Sequence, residues 1–287
     1  MNTMISILGA GSMAEALICG WVKSGQMAPQ NILVTNRSND QRLEELSTTY
    51  GVKTTRKIDE LMTHGHMLLI ACKPKDWKLA LKPLQRHLTH DIPLVSVMAG
   101  ITTEALEDFF STLNVPVIRT IPNTSAVVNA SMTPMALGKW VDEDHVSRVK
   151  DTFKLVGETA EVPEKTMDAL TALTGTGPAY IYYLMEAMEL AAVKIGIDQN
   201  LARHLVSQTL LGAGLRVQEN DSSPAVLYQQ IMSPGGTTEA GFNVLREQQM
   251  QDIIISCIEK AAERSKELGA LTNDRALTSK NVENDVR

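Results

Sequence analysis

Two stretches of this chain hold residue types that can grip an anion and assist a proton. Gly9-Ala10-Gly11-Ser12-Met13-Ala14 follows the apolar run at 4–8 with the G-x-G-x-x-A spacing of a dinucleotide-binding turn. Gly9 permits the tight turn, Gly11 lets the backbone approach a pyrophosphate, and Ala14 lets the next helix pack on the strand. Ser12 and Met13 open that helix, whose free N–H groups and dipole face the anion. The second stretch is Ser233-Pro234-Gly235-Gly236-Thr237-Thr238, between two helical segments. Gly235 and Gly236 expose backbone N–H groups at a helix start and Thr237 and Thr238 add donors, a receptor for a small carboxylate. Standing alone, the same string is equally an ordinary helix cap.

The elements that must carry these stretches follow from hydrophobic period. Residues 32–35, 67–71, 94–98, 115–120 and 133–137 read as strands, and 13–25, 39–50, 76–87, 102–113 and 143–155 as helices. Strand–helix alternation predicts a doubly wound, mostly parallel α/β sheet of Rossmann type with helices on both faces. Pro163 marks a boundary, giving a dinucleotide-binding domain at 1–162 and a helical substrate and dimerisation domain at 163–270. The polar, unpatterned stretch 271–287 is expected to be disordered. A helix at about 178–195 is apolar nearly all round, with Glu186 and Glu189 the charged residues of 179–192. Such a helix is buried on several sides, and in a domain of this size a second subunit is its natural cover; burial within one chain is the alternative.

Bulk composition sets limits. A length of 287 residues, 44% hydrophobic and 21% charged, suits a two-domain soluble globular protein. A formal charge of −6 argues against nucleic acid or an anionic membrane surface as the main partner. No apolar run approaches the length of a membrane span, and Met1-Asn2-Thr3 lacks a basic leader, so the expected address is the cytoplasm. Cys19, Cys72 and Cys257 lie far apart in apolar segments and read as small buried hydrophobes in a reducing compartment. No zinc spacing is present, and His64 and His66 read as surface or structural histidines, so no metal site is expected.

The choice of dinucleotide rests on the end of the second strand. There Asn36-Arg37-Ser38-Asn39 precedes any carboxylate, the first being Asp40. A guanidinium fork beside short polar side chains suits a 2′-phosphate, which favours NADPH over NADH. A solvated loop arginine is the alternative. Two further strand ends, Ala71-Cys72-Lys73-Pro74 and Ser96 to Gly100, lie where ligands sit in such folds. Small Ala99 and Gly100 would let a nicotinamide approach, while Lys73 reads either as a base or as a loop residue packed along the cofactor.

The order of these strings resembles the pyrroline-5-carboxylate reductase family over nearly the whole chain. Its pieces are residues 9–14, Ala71-Cys72-Lys73-Pro74, 96–100, Arg119-Thr120-Ile121-Pro122-Asn123-Thr124, Thr174-Gly175-Thr176-Gly177-Pro178-Ala179-Tyr180 and Ser233 to Thr238. The resemblance implies NAD(P)H-dependent reduction of Δ1-pyrroline-5-carboxylate to L-proline, the last step of proline biosynthesis. It implies an active site between the two domains, completed by a homodimer partner, with decamers in some relatives. It adds Asn123 to the cofactor residues and gives Ser233 and Thr238 catalytic roles, Thr238 or a bound water relaying a proton to the ring nitrogen. Threonine is a weak acid, so most acceleration comes from positioning. Asp221 falls where relatives carry an acidic residue near the substrate amine; a solvated loop aspartate is equally consistent with its neighbours.

The chain departs from the family pattern at Ser125, at Tyr228, Gln229 and Met232, and at Glu239. The residues before Ser233 lack the usual charge pair, which bears on loop position and substrate size. Three other readings compete. β-Hydroxyacid dehydrogenases share the two-domain plan but carry a lysine early on the long helix, where this chain has Gly175 to Tyr183 and none. A reductase of another cyclic imino acid, or a non-catalytic NADPH-binding homodimer, fits the same strings.

Overall fold

The structure, a computed structural model, describes residues 3–284, with side chains through residue 270. Strands β1 (Ile5–Leu8), β2 (Ile32–Thr35), β3 (Lys53–Thr54), β4 (Met67–Ile70), β5 (Leu94–Ser96), β6 (Val117–Thr120), β7 (Ser131–Leu137) and β8 (Gly157–Glu161) form one sheet. Their order is β3-β2-β1-β4-β5-β6-β7-β8, and every pair is parallel except β6 with β7. Between the strands lie α1 (Ser12–Lys23), α2 (Asp40–Tyr50), α3 (Ile58–His64), α4 (Trp77–Leu81), α5 (Thr103–Phe109) and α6 (Glu143–Lys154). The doubly wound sheet is the architecture that the alternation implies.

Alternating strand side chains feed two cores, as a sheet covered on both faces requires. Ile5, Ile7, Ile32, Val34, Met67 and Leu69 pack with Leu17 and Trp21 of α1, Leu43 and Leu46 of α2, and Phe153 of α6. Leu8, Leu33, Leu68, Ile70 and Leu94 pack the other way, with Leu61 of α3, Trp77 of α4 and Leu106 and Phe110 around α5.

Several elements differ from the sequence reading. β3 has two residues and α3 seven, too short for a period to register. β8 alternates polar and small residues at the sheet edge and shows no apolar face. The helix expected over 76–87 splits, α4 giving way to a 3₁₀ turn at Lys82–Arg86, because Pro83 supplies no N–H for an α-helical bond.

The chain forms two compact units, one of residues up to Thr176 together with those from Lys260 on, the other Gly177–Glu259. The first ends in α7 (Met167–Leu170) and a π-helical turn at Thr171–Gly175. The second holds α8 (Gly177–Lys194), α9 (Gln199–Gln218), α10 (Pro224–Ile231), α11 (Thr237–Glu247) and the start of α12 (Met250–Asn284). No residue of α8 is buried, and Ile181, Tyr182, Tyr183 and Leu190 stand exposed. α12 runs on through Asn284 into the stretch read as a disordered tail, and no Pro or Gly follows Gly269 in the sequence to stop the helix. The side chains from residue 271, and residues 285–287 altogether, lie outside the described residues.

The cysteine reading needs one correction. Cys19 is buried and Cys72 half-buried, but Cys257 is exposed on α12. Burial pushes the Cys72 thiol up to about 11.

A buried charge cluster ties β6 to the closing elements of the first unit. The Arg119 side chain is 2% exposed, with Nη1 2.8 Å from Glu164 Oε1 and Nη2 3.3 Å from Asp168 Oδ1. Ser265 of α12 donates to Asp168 Oδ1 at 3.0 Å. Arg119 Nε and Glu164 Oε2 are buried without a hydrogen-bond partner among the described residues. Removing the cation leaves two carboxylates uncompensated, so Arg119→Met should cost about 3–5 kcal/mol of stability in urea unfolding. A loss below about 1 kcal/mol would mean that the cluster is a solvated pair. For Cys72, a raised pKa keeps the thiol protonated and unreactive until the pH nears that value. Iodoacetamide at about pH 8 should therefore leave Cys72 unlabelled in the native protein by peptide mass spectrometry, and labelling at the rate of a free cysteine would contradict its burial.

A candidate active site in two parts

The first part lies along the carboxyl edge of the sheet. Ladder bonds continue past the strand ends: Gly9 N donates to Thr35 O at 2.8 Å, Ala71 N to Leu8 O at 2.9 Å and Val97 N to Ile70 O at 3.1 Å. Three of the predicted cofactor loops therefore leave the sheet side by side, at the switch between β1 and β4 where ligands bind in such sheets. Gly9 has φ +119°, and a Cβ there would lie 2.5 Å from the Ala71 carbonyl carbon. Gly11 is the N-cap of α1, with no side-chain cap and open space where a Cβ would point. The first N–H groups of α1, from exposed Ser12 and half-buried Met13 on, face that space unspent, so the residues present fit a pyrophosphate. The Met13 side chain itself packs against the core.

Side chains that the sequence reading missed hold this turn. Arg42 on α2 donates from Nε to Ala10 O at 3.1 Å and pairs with Glu15 on α1. Tyr50 OH donates to Glu15 Oε1 at 3.2 Å, its phenol pushed up to about 12 by burial and then by the Glu15 charge. Neither α2 contact has a sequence signal, since one reaches back 32 residues to the turn and the other 35 residues to α1.

At the β2 end, Asn36 closes on its own loop, Oδ1 accepting Asn39 N at 2.9 Å and Nδ2 donating to Asn39 O at 2.7 Å. Arg37 and Ser38 are exposed and make no hydrogen bond or ion pair among the described residues. Lys73 is exposed, its carbonyl accepting Asp76 N at 2.9 Å and its ammonium unpaired among the described residues, ahead of the 3₁₀ turn that Pro74 opens. Ala99 is exposed and Gly100 is buried. Its φ is +75°, and a Cβ there would lie 2.8 Å from Gly269 Cα, so the missing side chain also makes room for α12. Asn123 is also committed within the chain: Oδ1 accepts Ser125 N at 3.0 Å and Nδ2 donates to Thr174 O at 3.0 Å in the π-helical turn. Ser125 thus takes part in the cap that orders 124–128.

The second part is the 232–239 loop, between α10 and α11 of the other unit. The expectation that Gly235 and Gly236 present free N–H groups is corrected. Gly235 N donates to Glu239 Oε2 at 2.7 Å, and Gly236 N donates to Ser233 O at 2.9 Å. Gly235, with φ +70°, makes the turn, and Gly236 is the N-cap with no side-chain cap bond. The free donors lie one step on, at the first N–H groups of α11 from Thr237 and Thr238. The helix-cap alternative for Ser233 to Thr238 is met in backbone form only. Ser233 is exposed and Thr238 half-buried. Two of the departures from the family pattern, Tyr228 and Glu239, hold this loop, with Gln230 beside them. The Tyr228 ring lies 5.0 Å from Phe242, joining α10 to α11, and Gln230 Oε1 accepts from Arg216 Nη2 at 3.0 Å. Gln229 is exposed, Met232 is half-buried, and Asp221 is exposed without a partner among the described residues.

His90, Asp142 and His145 form a cluster with metal-ligating atoms within 4.8 Å of one another. Two of them are spent in the capping box of α6, Asp142 Oδ1 accepting His145 N at 2.9 Å and His145 Nδ1 accepting Asp142 N at 3.3 Å. His64 and His66 are structural, bonding Asn31 O at 3.0 Å and Met4 N at 3.3 Å.

Residues 164–268 match the family model for pyrroline-5-carboxylate reductase dimerisation, and residues 4–100 that for NADP oxidoreductase, coenzyme F420-dependent. Pyrroline-5-carboxylate reductase 2 of Bacillus subtilis is 40% identical, the alignment covering 92% of this chain and 94% of that protein. Pyrroline-5-carboxylate reductase 1 of the same organism is 42% identical over 92% of this chain and 89% of its own length. The crystal structure of Plasmodium falciparum pyrroline carboxylate reductase with NADP bound superposes with a TM-score of 0.84 at 27% identity, covering 93% and 98% of the two chains. The chain belongs to the pyrroline-5-carboxylate reductase family.

Proposed function

We propose that this protein reduces Δ1-pyrroline-5-carboxylate to L-proline with NADPH. The observation that carries this reading is the pairing of two open helix N-termini, α1 behind Gly11 and α11 behind Gly236, in a chain of this family. When bound, the reduced nicotinamide supplies the hydride that reaches the imine carbon. Gly11 and the first amides of α1 hold the pyrophosphate, with Arg42 fixing the turn through Ala10 O. Arg37 and Ser38 take the 2′-phosphate, for which a carboxylate would be the wrong charge. The Thr237 and Thr238 amides hold the substrate carboxylate, and Glu239 keeps the Gly235 turn in shape by occupying its N–H. Thr238 Oγ, or a water it holds, keeps the proton at the ring nitrogen as that atom gains its electron pair. Positioning supplies most of the acceleration, because a threonine hydroxyl is a weak acid.

The uncovered apolar residues of α8 support a homodimer built through the helical unit. No helix among the described residues is long and apolar enough to cross a membrane. The free cysteines support a reducing, cytoplasmic setting.

Purified protein given NADPH and pyrroline-5-carboxylate should consume NADPH well above a blank without enzyme, and faster than with the six-membered cyclic imino acid. A rate equal to the blank would overturn the reading, and faster turnover of the larger ring would reassign the substrate. Thr238→Ala should lower kcat by about ten- to a hundredfold, around the lower end for a positioned proton donor, with the KM for NADPH changed less than about twofold. A loss confined to cofactor affinity would show that Thr238 has another role.

A further inference from the structure

We propose that Arg56 sets the preference for a 2′-phosphorylated cofactor without touching the phosphate, by masking Asp40 and fixing the loop that presents Arg37. This inference rests on the cofactor reading above and deepens it. Arg56 reaches the site through β3, the short strand without a sequence signal. β3 pairs with β2 at Leu33↔Lys53 and Val34↔Thr54, and Thr55 N donates to Val34 O at 3.0 Å. The next residue, Arg56, therefore emerges beside Asn36, just past the end of β2.

All three of its guanidinium nitrogens bond there. Nε donates to Asp40 Oδ1 at 2.8 Å, and Nη2 bonds the same oxygen. Nη1 donates to Asn36 O at 2.5 Å and to Asn36 Oδ1 at 3.0 Å. One side chain thus performs two tasks. It pairs the first carboxylate after β2, which would otherwise repel a dianionic phosphate a few residues from Arg37. It also fixes the carbonyl that precedes Arg37, so the peptide carrying Arg37 has one orientation, already braced by the Asn36–Asn39 bonds. Asp40 and Arg56 cancel, and the Arg37 guanidinium is the cation left unpaired in the 36–40 segment. A bound 2′-hydroxyl, being neutral, gains little from this arrangement. The device therefore separates NADP from NAD.

The test is calorimetric titration of NADP⁺ and NAD⁺ into wild type, Arg37→Ala, Arg56→Ala, Asp40→Asn and the double variant Arg56→Ala/Asp40→Asn. Arg56→Ala should weaken NADP⁺ by about five- to tenfold and NAD⁺ by less than about twofold, as expected for exposing one charge near a phosphate. Adding Asp40→Asn should bring NADP⁺ back to within about twofold of wild type. Asp40→Asn alone, which frees the Arg56 cation, should tighten NADP⁺ by about two- to threefold. Equal weakening of both dinucleotides by Arg56→Ala would reduce Arg56 to a fold-supporting residue and overturn the proposal. A double variant as weak as Arg56→Ala would overturn it as well, by showing that the loss does not come from unmasking Asp40. So would Asp40→Asn binding NADP⁺ no more tightly than wild type. If wild type does not prefer NADP⁺, or Arg37→Ala keeps the preference, the cofactor reading itself fails and takes this inference with it.

Discussion

The nucleotide unit depends on how closely two backbones meet where β1 and β4 end. At Gly9 the chain turns with a positive φ, against the Ala71–Cys72 peptide, leaving no room for a side chain. That approach keeps the β1 and β4 connections level, and the ladder bonds from Gly9, Ala71 and Val97 carry the same register across neighbouring strand ends. The amides of α1 are thereby aimed at the edge where the other loops emerge. Arg42, paired with Glu15, bonds the Ala10 carbonyl and braces the turn from within the chain.

The helical unit solves a similar problem by local means. The loop between α10 and α11 is tied at each side, by Tyr228 against Phe242, by Gln230 with Arg216, and by Glu239 closing on Gly235. Tyr228 and Glu239 are residues at which the chain leaves the family pattern.

The large features were legible because they rest on period and on small residues. Apolar runs buried along their whole length gave the central strands, and the G-x-G-x-x-A spacing gave the turn and the first helix. The all-helical character after residue 163 was legible too, from the lack of any period-two segment. What escaped had no local pattern. β3 is two residues long yet delivers Arg56, and its only signature is a ladder bond to a strand twenty residues back. Gly100 looked like clearance for a ligand, and its partner is Gly269, far along the chain. Gly235 and Gly236 looked like open donors, but a glutamate four residues on and a carbonyl three back had already claimed them. Pairings of this kind are decided by the fold, so the composition of a loop tells which groups are present and not which are spent.

The path of the chain through its two units bears on how the molecule is made. The nucleotide-binding unit opens the sequence, yet it is closed by residues beyond Lys260, with Ser265 on Asp168 and Gly269 against Gly100. A ribosome therefore finishes the helical unit before it releases the piece that seals the first one. During synthesis the amino-terminal sheet must wait with the Gly100 face open and its buried arginine cluster short of one hydroxyl donor. A helix made after the whole helical unit thus completes a part of the nascent protein that was made before it.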